Sequence, residues 1–528
     1  MKPRLLFFLT VLSISFLGSC IKEEDIDFTN LSVSDWKPDL ALPLVNSSFR
    51  FDDIAGLTDS GEVYVDSDGR IVIVSTSSLF SRTAAEFLTI PDQSAPSTLT
   101  ITSALASAIN AAAPYDTVSN FLNNNYSLNT SSSIQISSLL VKSGSLELVI
   151  TNPTPLKGTV VLLINQLTKN NLPFTRTIPI PANNTFGIST DISGYNLLPG
   201  SNNQVAVNYA INLTKGGSSV TVSPGPQVSV NANFRSITYY SVFGNFGSQV
   251  FSIPLDSAKL DLYSRNPNDS FAFSDPSIYV DVVNSVGMPF RVSNISLQPI
   301  GDNGQLIPFT TSVNQFSVNS PGSVGQNVTS TAVVNRSNSD IVNAMSLRPE
   351  YVSYFANVAT NIPTSNNFIT DSSRFDAKLR VELPLDGWAT RFTVQDTSDF
   401  QLDNIDEVDS LVFRLDIRNG FPAGAYTQVY FADSNGLVLE TLIQDPTQQL
   451  IGAAGVDANG YAISPTERFH DEPFNHERIQ RIIGCTKLIV YSIINTTDSG
   501  VHRAVKFTDS DKLDVKLGVR ARLKVSLN

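Results

Sequence analysis

The chain has 528 residues, a formal net charge of −13 and an isoelectric point near 4.7. That length holds roughly three to four domains, and a 41% apolar fraction excludes a disordered chain. The acidic balance argues against nucleic acid as a partner and against attraction to anionic lipid headgroups.

The first element is a short basic and apolar start. Lys2 and Arg4 precede an apolar run from Leu5 to Leu17, which is too short to span a bilayer and has the layout of a secretory signal. Gly18 and Ser19 then lead to Cys20. This segment resembles the lipobox of bacterial lipoproteins, which implies cleavage after residue 19 and acylation of Cys20. The stretch Lys22, Glu23, Glu24 and Asp25 resembles the export signal of Bacteroidota-type surface lipoproteins. The resemblance implies a lipid anchor in the outer membrane and a body at the cell surface. The other cysteine, Cys485, sits in an apolar stretch and reads as a core residue, so no internal disulfide is expected.

Residues 20–27 read as a lipidated tether, and from there period-2 alternation dominates. Leu40-Ala41-Leu42-Pro43-Leu44 is echoed by Val381-Glu382-Leu383-Pro384-Leu385, as if opening two related domains. Asp66–Gly69, between Val63–Val65 and Ile71–Val74, predicts a hairpin. An Ala-rich helix is predicted over 103–113, stopped by Pro114.

A recurring unit follows: three alternating residues, an Asn two places on, then a turn with Gly or Pro. It occurs at Leu146, Leu148, Ile150 and Asn152, and again at Leu260, Leu262, Ser264 and Asn266. Further copies are Ile278, Val280, Val282 and Asn284, and Phe413, Leu415, Ile417 and Asn419. The alternation puts one face on a core, and the Asn side chain can bond nearby backbone where the strand ends. The Asn-Pro form resembles the strand-turn of fibronectin-like sandwiches related to the late-embryogenesis-abundant water-stress domain.

Towards the end, residues 464–475 read as a polar loop leading into a helix over 475–483, with Asn475 as cap. A last strand alternates from Leu513 to Leu527 with a basic opposite face. The predicted fold is mostly β: several antiparallel sandwich (Ig/fibronectin-like) domains in tandem with few short helices. The expected order is a signal over 1–19, an N-terminal β-rich domain over 28–142, and sandwiches over 143–235, 236–380 and 381–528.

Chemistry-bearing patterns are sparse. His470 and His476 flank acids, but there is no His-Glu-x-x-His, so no metal site is predicted. The turns at Asp66, Asp302, Asp433 and Asp457 lack the twelve-residue calcium loop and read as β-turns. No Gly-x-Ser-x-Gly elbow is present. Glu382, Asp386 and Trp388 are the first place to seek a sugar-cleaving acid pair, although a strand-end turn with a packed Trp fits better, as it does for Trp36. Asp-Thr/Ser-apolar triplets at Thr117, Ser257 and Ser410 resemble the O-glycosylation sequon of Bacteroidota-type exported proteins.

These features lead to the expectation of a non-catalytic lipoprotein without a cofactor. It would serve as a structural or binding subunit beside an outer-membrane barrel or other lipoproteins, in protein assembly, secretion or uptake. Glycan binding and a surface hydrolase with a carboxylate or metal site are the alternatives.

Overall fold

The computed structural model describes residues 39–50, 62–130, 134–260, 270–360, 367–399, 408–444 and 451–523. Cys20, Lys22, Glu23, Glu24, Asp25, Trp36, the copy of the strand-Asn unit at 262–267 and residues 524–528 lie outside the described residues.

Antiparallel strands form three sandwiches with the same strand order. In the inner sandwich one sheet runs Asn184–Asp191, Gln135–Asn152, Gln227–Asn245, Gln93–Thr100. Its second sheet runs Leu172–Ile180, Lys157–Lys169, Gln204–Thr214, Thr117–Ser127. The short strand Asn196–Leu197 pairs with both sheets and joins them. The middle sandwich repeats the plan with Val328–Val334, Ser277–Asn284, Arg374–Pro384, Ile71–Thr83 facing Gln315–Val318, Phe290–Ile300, Tyr351–Thr360, Val250–Lys259. The outer one uses Thr466–Phe474, Val408–Asn419, Leu513–Leu523, Asp39–Phe49 against Val438–Thr441, Ala423–Ala432, Lys487–Thr496, Phe392–Asp399.

The three are nested. In each sandwich the last strand pairs with the first: Gln227–Asn245 with Gln93–Thr100, Arg374–Pro384 with Ile71–Thr83, and Leu513–Leu523 with Asp39–Phe49. Strands before residue 142 therefore belong to three different sandwiches, which differs from a separate N-terminal domain over 28–142. The echo at 40–44 and 381–385 likewise falls on non-equivalent strands, one opening the outer sandwich and one closing the middle one.

Alternation builds the layers. In Gln204–Thr214, Val205, Val207, Tyr209, Ile211 and Leu213 are all buried on one face. The inner and middle sandwiches share one hydrophobic core, knit by Phe87, Phe251, Phe290 and Phe375 with ring centroids 5.2–6.0 Å apart. The outer sandwich has its own core, where Phe474 lies 5.0 Å from Phe413 and 5.9 Å from Phe431. Pro43, Pro96, Pro254 and Pro473 all fall on edge strands, where a missing N–H costs no ladder bond.

The three recurring Asn residues in the described chain do the same job. Each is at most 2% exposed and accepts the backbone N–H two residues on: Thr154 (3.0 Å), Val286 (2.9 Å) and Phe421 (2.9 Å). Each also donates to the carbonyl four residues on, at Leu156, Met288 or Ala423 (2.7–2.9 Å). The second Nδ2 hydrogen reaches a distant carbonyl, at Pro181, Asn319 or Gly452 (2.8–3.0 Å). One amide thus ties the chain's crossing between sheets to the return crossing.

The predicted helix is seen as Ser103–Ala111, capped by Thr102, and the later one as His476–Ile482, capped by Asn475. Ile479 and Ile482 are buried, but Ile483 is 40% exposed. The expected loop at 464–475 is instead the edge strand Thr466–Phe474. Its inward polar residues are tolerated because buried Arg478 bonds Glu472 (2.8 Å) and the carbonyls of Thr441 and Leu442.

Candidate functional site

An open groove of about 630 Å³ lies where the inner and middle sandwiches meet. Its floor is apolar. Phe243, on the strand Gln227–Asn245, lies 6.0 Å between centroids from Phe368, on the short strand Asn367–Thr370. Pro289 comes from the Asn284 turn, and Pro321 and Val324 from the loop after Asn319. Asn284 thereby positions both walls, because its amide bonds Asn319 as well as Met288. Gly287 is required here: a Cβ would fall 2.3 Å from Cδ1 of Phe368, and its N–H donates to the Phe368 carbonyl (2.8 Å). Ser137, Ser320 and Ser323 supply hydroxyls, and none of the lining residues ionises. The groove can adsorb an apolar or hydroxyl-rich partner, and its lining carries no acid or base to transfer a proton.

The residues singled out in the sequence do not converge there. Glu382 is ion-paired with Arg380, which also holds Asp281 (2.9 Å) and lies over the Tyr279 ring at 4.0 Å. Burial, then the Glu382 charge, pushes the Tyr64 phenol up to about 12. Asp386 pairs with Arg70 (3.3 Å) and Lys506 (3.9 Å), and Arg70 also holds Asp66 (2.8 Å) and Asp275 (3.7 Å). Trp388 stacks on His502 at 4.0 Å and 10°. These groups form a charged seam between the middle and outer sandwiches, where the strands Ser270–Phe273, Asp386–Thr390 and Val505–Lys506 make a small sheet.

His470 meets Glu472 at 3.0 Å, whereas His476 opens a helix and His502 lies on Trp388. Among the described residues no group of three or more His, Cys, Asp or Glu is placed to hold a metal ion. At Asp66, Asp433 and Asp457 one carboxylate oxygen accepts the N–H groups two and four residues on, all at 2.9 Å. A Gly at positive φ completes each turn. At 302–304 the Asn303 side chain accepts from Gln305, and Gly304 N–H donates to Gly301. Burial pushes the Cys485 thiol up, and Sγ faces the Arg481 carbonyl at 3.6 Å.

Thr117 and Ser257 are exposed on the corresponding edge strands of the inner and middle sandwiches, at opposite ends of those strands. Ser410 is half-buried on a central strand. On the basic face of the last strand Lys516 faces Asp416 at 3.9 Å, and on the neighbouring strand Val408–Asn419 Arg414 pairs with Asp471 (2.5 Å) and Arg418 with Glu467 (3.7 Å). The groove itself had only a partial sequence signal, the Gly287-x-Pro289 turn; Phe243 and Phe368 are too far apart in the chain to be joined by pattern.

No protein-family model matches the chain, and no curated protein does. Among solved structures it is similar to a protein of Parabacteroides distasonis ATCC 8503 inferred to be secreted, at 9% identity and a TM-score of 0.29 over 92% of this chain and 99% of that one. A VP2 subviral particle of infectious bursal disease virus is similar at 8% identity and a TM-score of 0.15, covering 89% of this chain and 85% of that one. An archaeal virus triple jelly roll is similar at 11% identity and 0.12, over 78% and 84%.

Proposed function

We propose that the chain is a non-catalytic lipoprotein of Bacteroidota type, anchored through Cys20 in the outer membrane and facing outward. It acts as a binding or structural subunit beside an outer-membrane barrel or other lipoproteins, in protein assembly, secretion or uptake. The observation that carries this reading is the open, non-ionising groove held between two stacked sandwiches by the Asn284 clip. Such a surface suits a docked protein segment better than a reaction. The engagement of Glu382 and Asp386 in ion pairs with Arg380 and Arg70 counts against the hydrolase alternative. Thr117 and Ser257 are the accessible candidates for O-glycosylation.

Cross-linking in intact cells, followed by gentle solubilisation, tests the subunit reading. A barrel or second lipoprotein captured by the wild type, and lost with Phe243→Asp, supports it. Migration of the protein alone removes it. The half-exposed Phe243 beside serine hydroxyls favours glycan capture as the second reading. A glycan array without binding eliminates that one.

A further inference from the structure

The two ends of the outer sandwich differ in what they carry. At one end lie Phe49, Asn419 and Leu513, in register with one another. Among the described residues, the connections to the rest of the molecule leave from this end. The strand Asp386–Thr390 leads into Phe392, which pairs with Ile494, and Ala389 N–H donates to the Thr496 hydroxyl. At the other end Asp39 pairs with Arg522, Val408 with Leu523 and Ala432 with Lys487. The described chain therefore begins at the end opposite the middle and inner sandwiches. Residues 21–38, which reach at most roughly 60 Å when extended, separate Asp39 from Cys20.

That same free end presents apolar surface. The hairpin after Ala432 exposes three consecutive apolar residues: Leu437 at 63%, Val438 at 44% and Leu439 at 36%. Such a run on a solvated surface marks an interaction site rather than a fold requirement. Ile483, at 40%, extends it, since Leu439 borders Gly484 and Arg481 ties the helix to Glu440 (3.1 Å). Three acids beside the patch are engaged. Glu440 is held by Arg478 and Arg481, Glu477 by Arg481, and Asp433 by the N–H groups of Asn435 and Leu437. These three acids would therefore not meet the interface without a partner.

We infer that this end of the outer sandwich seats in the bilayer, with Leu437, Val438, Leu439 and Ile483 entering the interfacial zone of the membrane that holds Cys20. The inference rests on the lipid-anchor reading and adds an orientation to it: the outer sandwich is membrane-proximal and the groove is held away from the lipid. One acylated cysteine is a weak anchor when its chains are few, and an apolar foot strengthens residence.

The test uses the whole lipidated protein, carrying Ser434→Cys or Ser218→Cys labelled with a polarity-sensitive dye. Cys485 is buried and stays unlabelled. The protein is reconstituted in phosphatidylethanolamine–phosphatidylglycerol vesicles containing spin-labelled acyl chains. The expected result is quenching several-fold stronger at position 434 than at 218, lost when Leu437, Leu439 and Ile483 are all changed to Ser. Equal or absent quenching at 434, or shielding of 434 without quenching, as a second protein copy on the patch produces, overturns the inference. Mass spectrometry of Cys20 separates the two ideas. An acylated, vesicle-bound protein without quenching at 434 fails the foot alone. An unmodified Cys20 with the protein in the supernatant fails the anchor and the foot together.

Discussion

Replacing Asn419 by Ala tests the idea that one buried amide locks each sandwich. The substitution leaves the Phe421 N–H and the carbonyls of Ala423 and Gly452 without their partner, losing bonds of 2.9, 2.7 and 2.8 Å. At a net ~1 kcal/mol per hydrogen bond the loss is about 3 kcal/mol, and more if the carbonyls stay dry. Because the outer sandwich has a core of its own, the effect should be local. Hydrogen exchange of the intact chain, read on peptides from 411–432, should show opening faster by roughly 150-fold. Asn419→Asp keeps the acceptor but loses both donors and buries a charge, so it should open at least as readily. Asn125→Ala, on an exposed edge-strand position, is the control. If Asn419→Ala falls within ~0.5 kcal/mol of that control, the amide is not holding the crossings and the reasoning fails.

Arg478→Leu should destabilise the outer sandwich by about 3–5 kcal/mol, because Glu472 and Glu440 would be left buried with one partner fewer; a denaturant midpoint near the wild type contradicts this. Gly287→Ala should cost about 1–3 kcal/mol by forcing the Phe368 ring into the groove, and thermal unfolding together with loss of groove cross-linking reads both effects. Asp511 is buried, which pushes its carboxyl up despite the Thr508 N–H at 2.7 Å. Its folded form holds the proton more tightly than the unfolded chain, so it subtracts stability once pH rises above the ordinary carboxylate range. Asp511→Asn should therefore raise the melting temperature at pH 7 and lose that advantage in acid, where folded and unfolded states are both protonated. A gain that persists unchanged at low pH would exclude the charge as the cause.

Local signals carried most of the sheet content. Alternation placed Leu146, Leu148 and Ile150 on a buried face, and the Asp66 turn fixed its hairpin, because both depend on neighbours in sequence. The Asn copies at 152, 284 and 419 were visible for the same reason. Their second carbonyl was not, since Pro181, Asn319 and Gly452 lie at different distances along the chain. Domain limits failed on the same ground: nothing in 39–49 or 71–83 reveals a partner hundreds of residues later. Thr466–Phe474 was missed because its inward face carries His470 and Glu472, whose burial is made tolerable by the bonds of Glu472 to His470 and Arg478. Asp386 looked available because Arg70 is remote in sequence, whereas the partner of Glu382, Arg380, is only two residues away.

The pairing of first strand with last has a cost in time. A chain emerging from its N-terminus can complete the inner sandwich once residue 245 is out, but 71–83 must wait for residue 384 and 39–49 for residue 522. Closing so long a loop adds only modest entropy, about 0.6 kcal/mol per doubling, yet it makes the last step slow. Until then Asp39–Phe49 lacks its ladder partner and Ile71–Thr83 is paired only with Glu62–Val65. A chaperone that shields hydrogen-bonding edges would find its substrate there, and a chain cut short anywhere before 513 would keep Asp39–Phe49 permanently unmated.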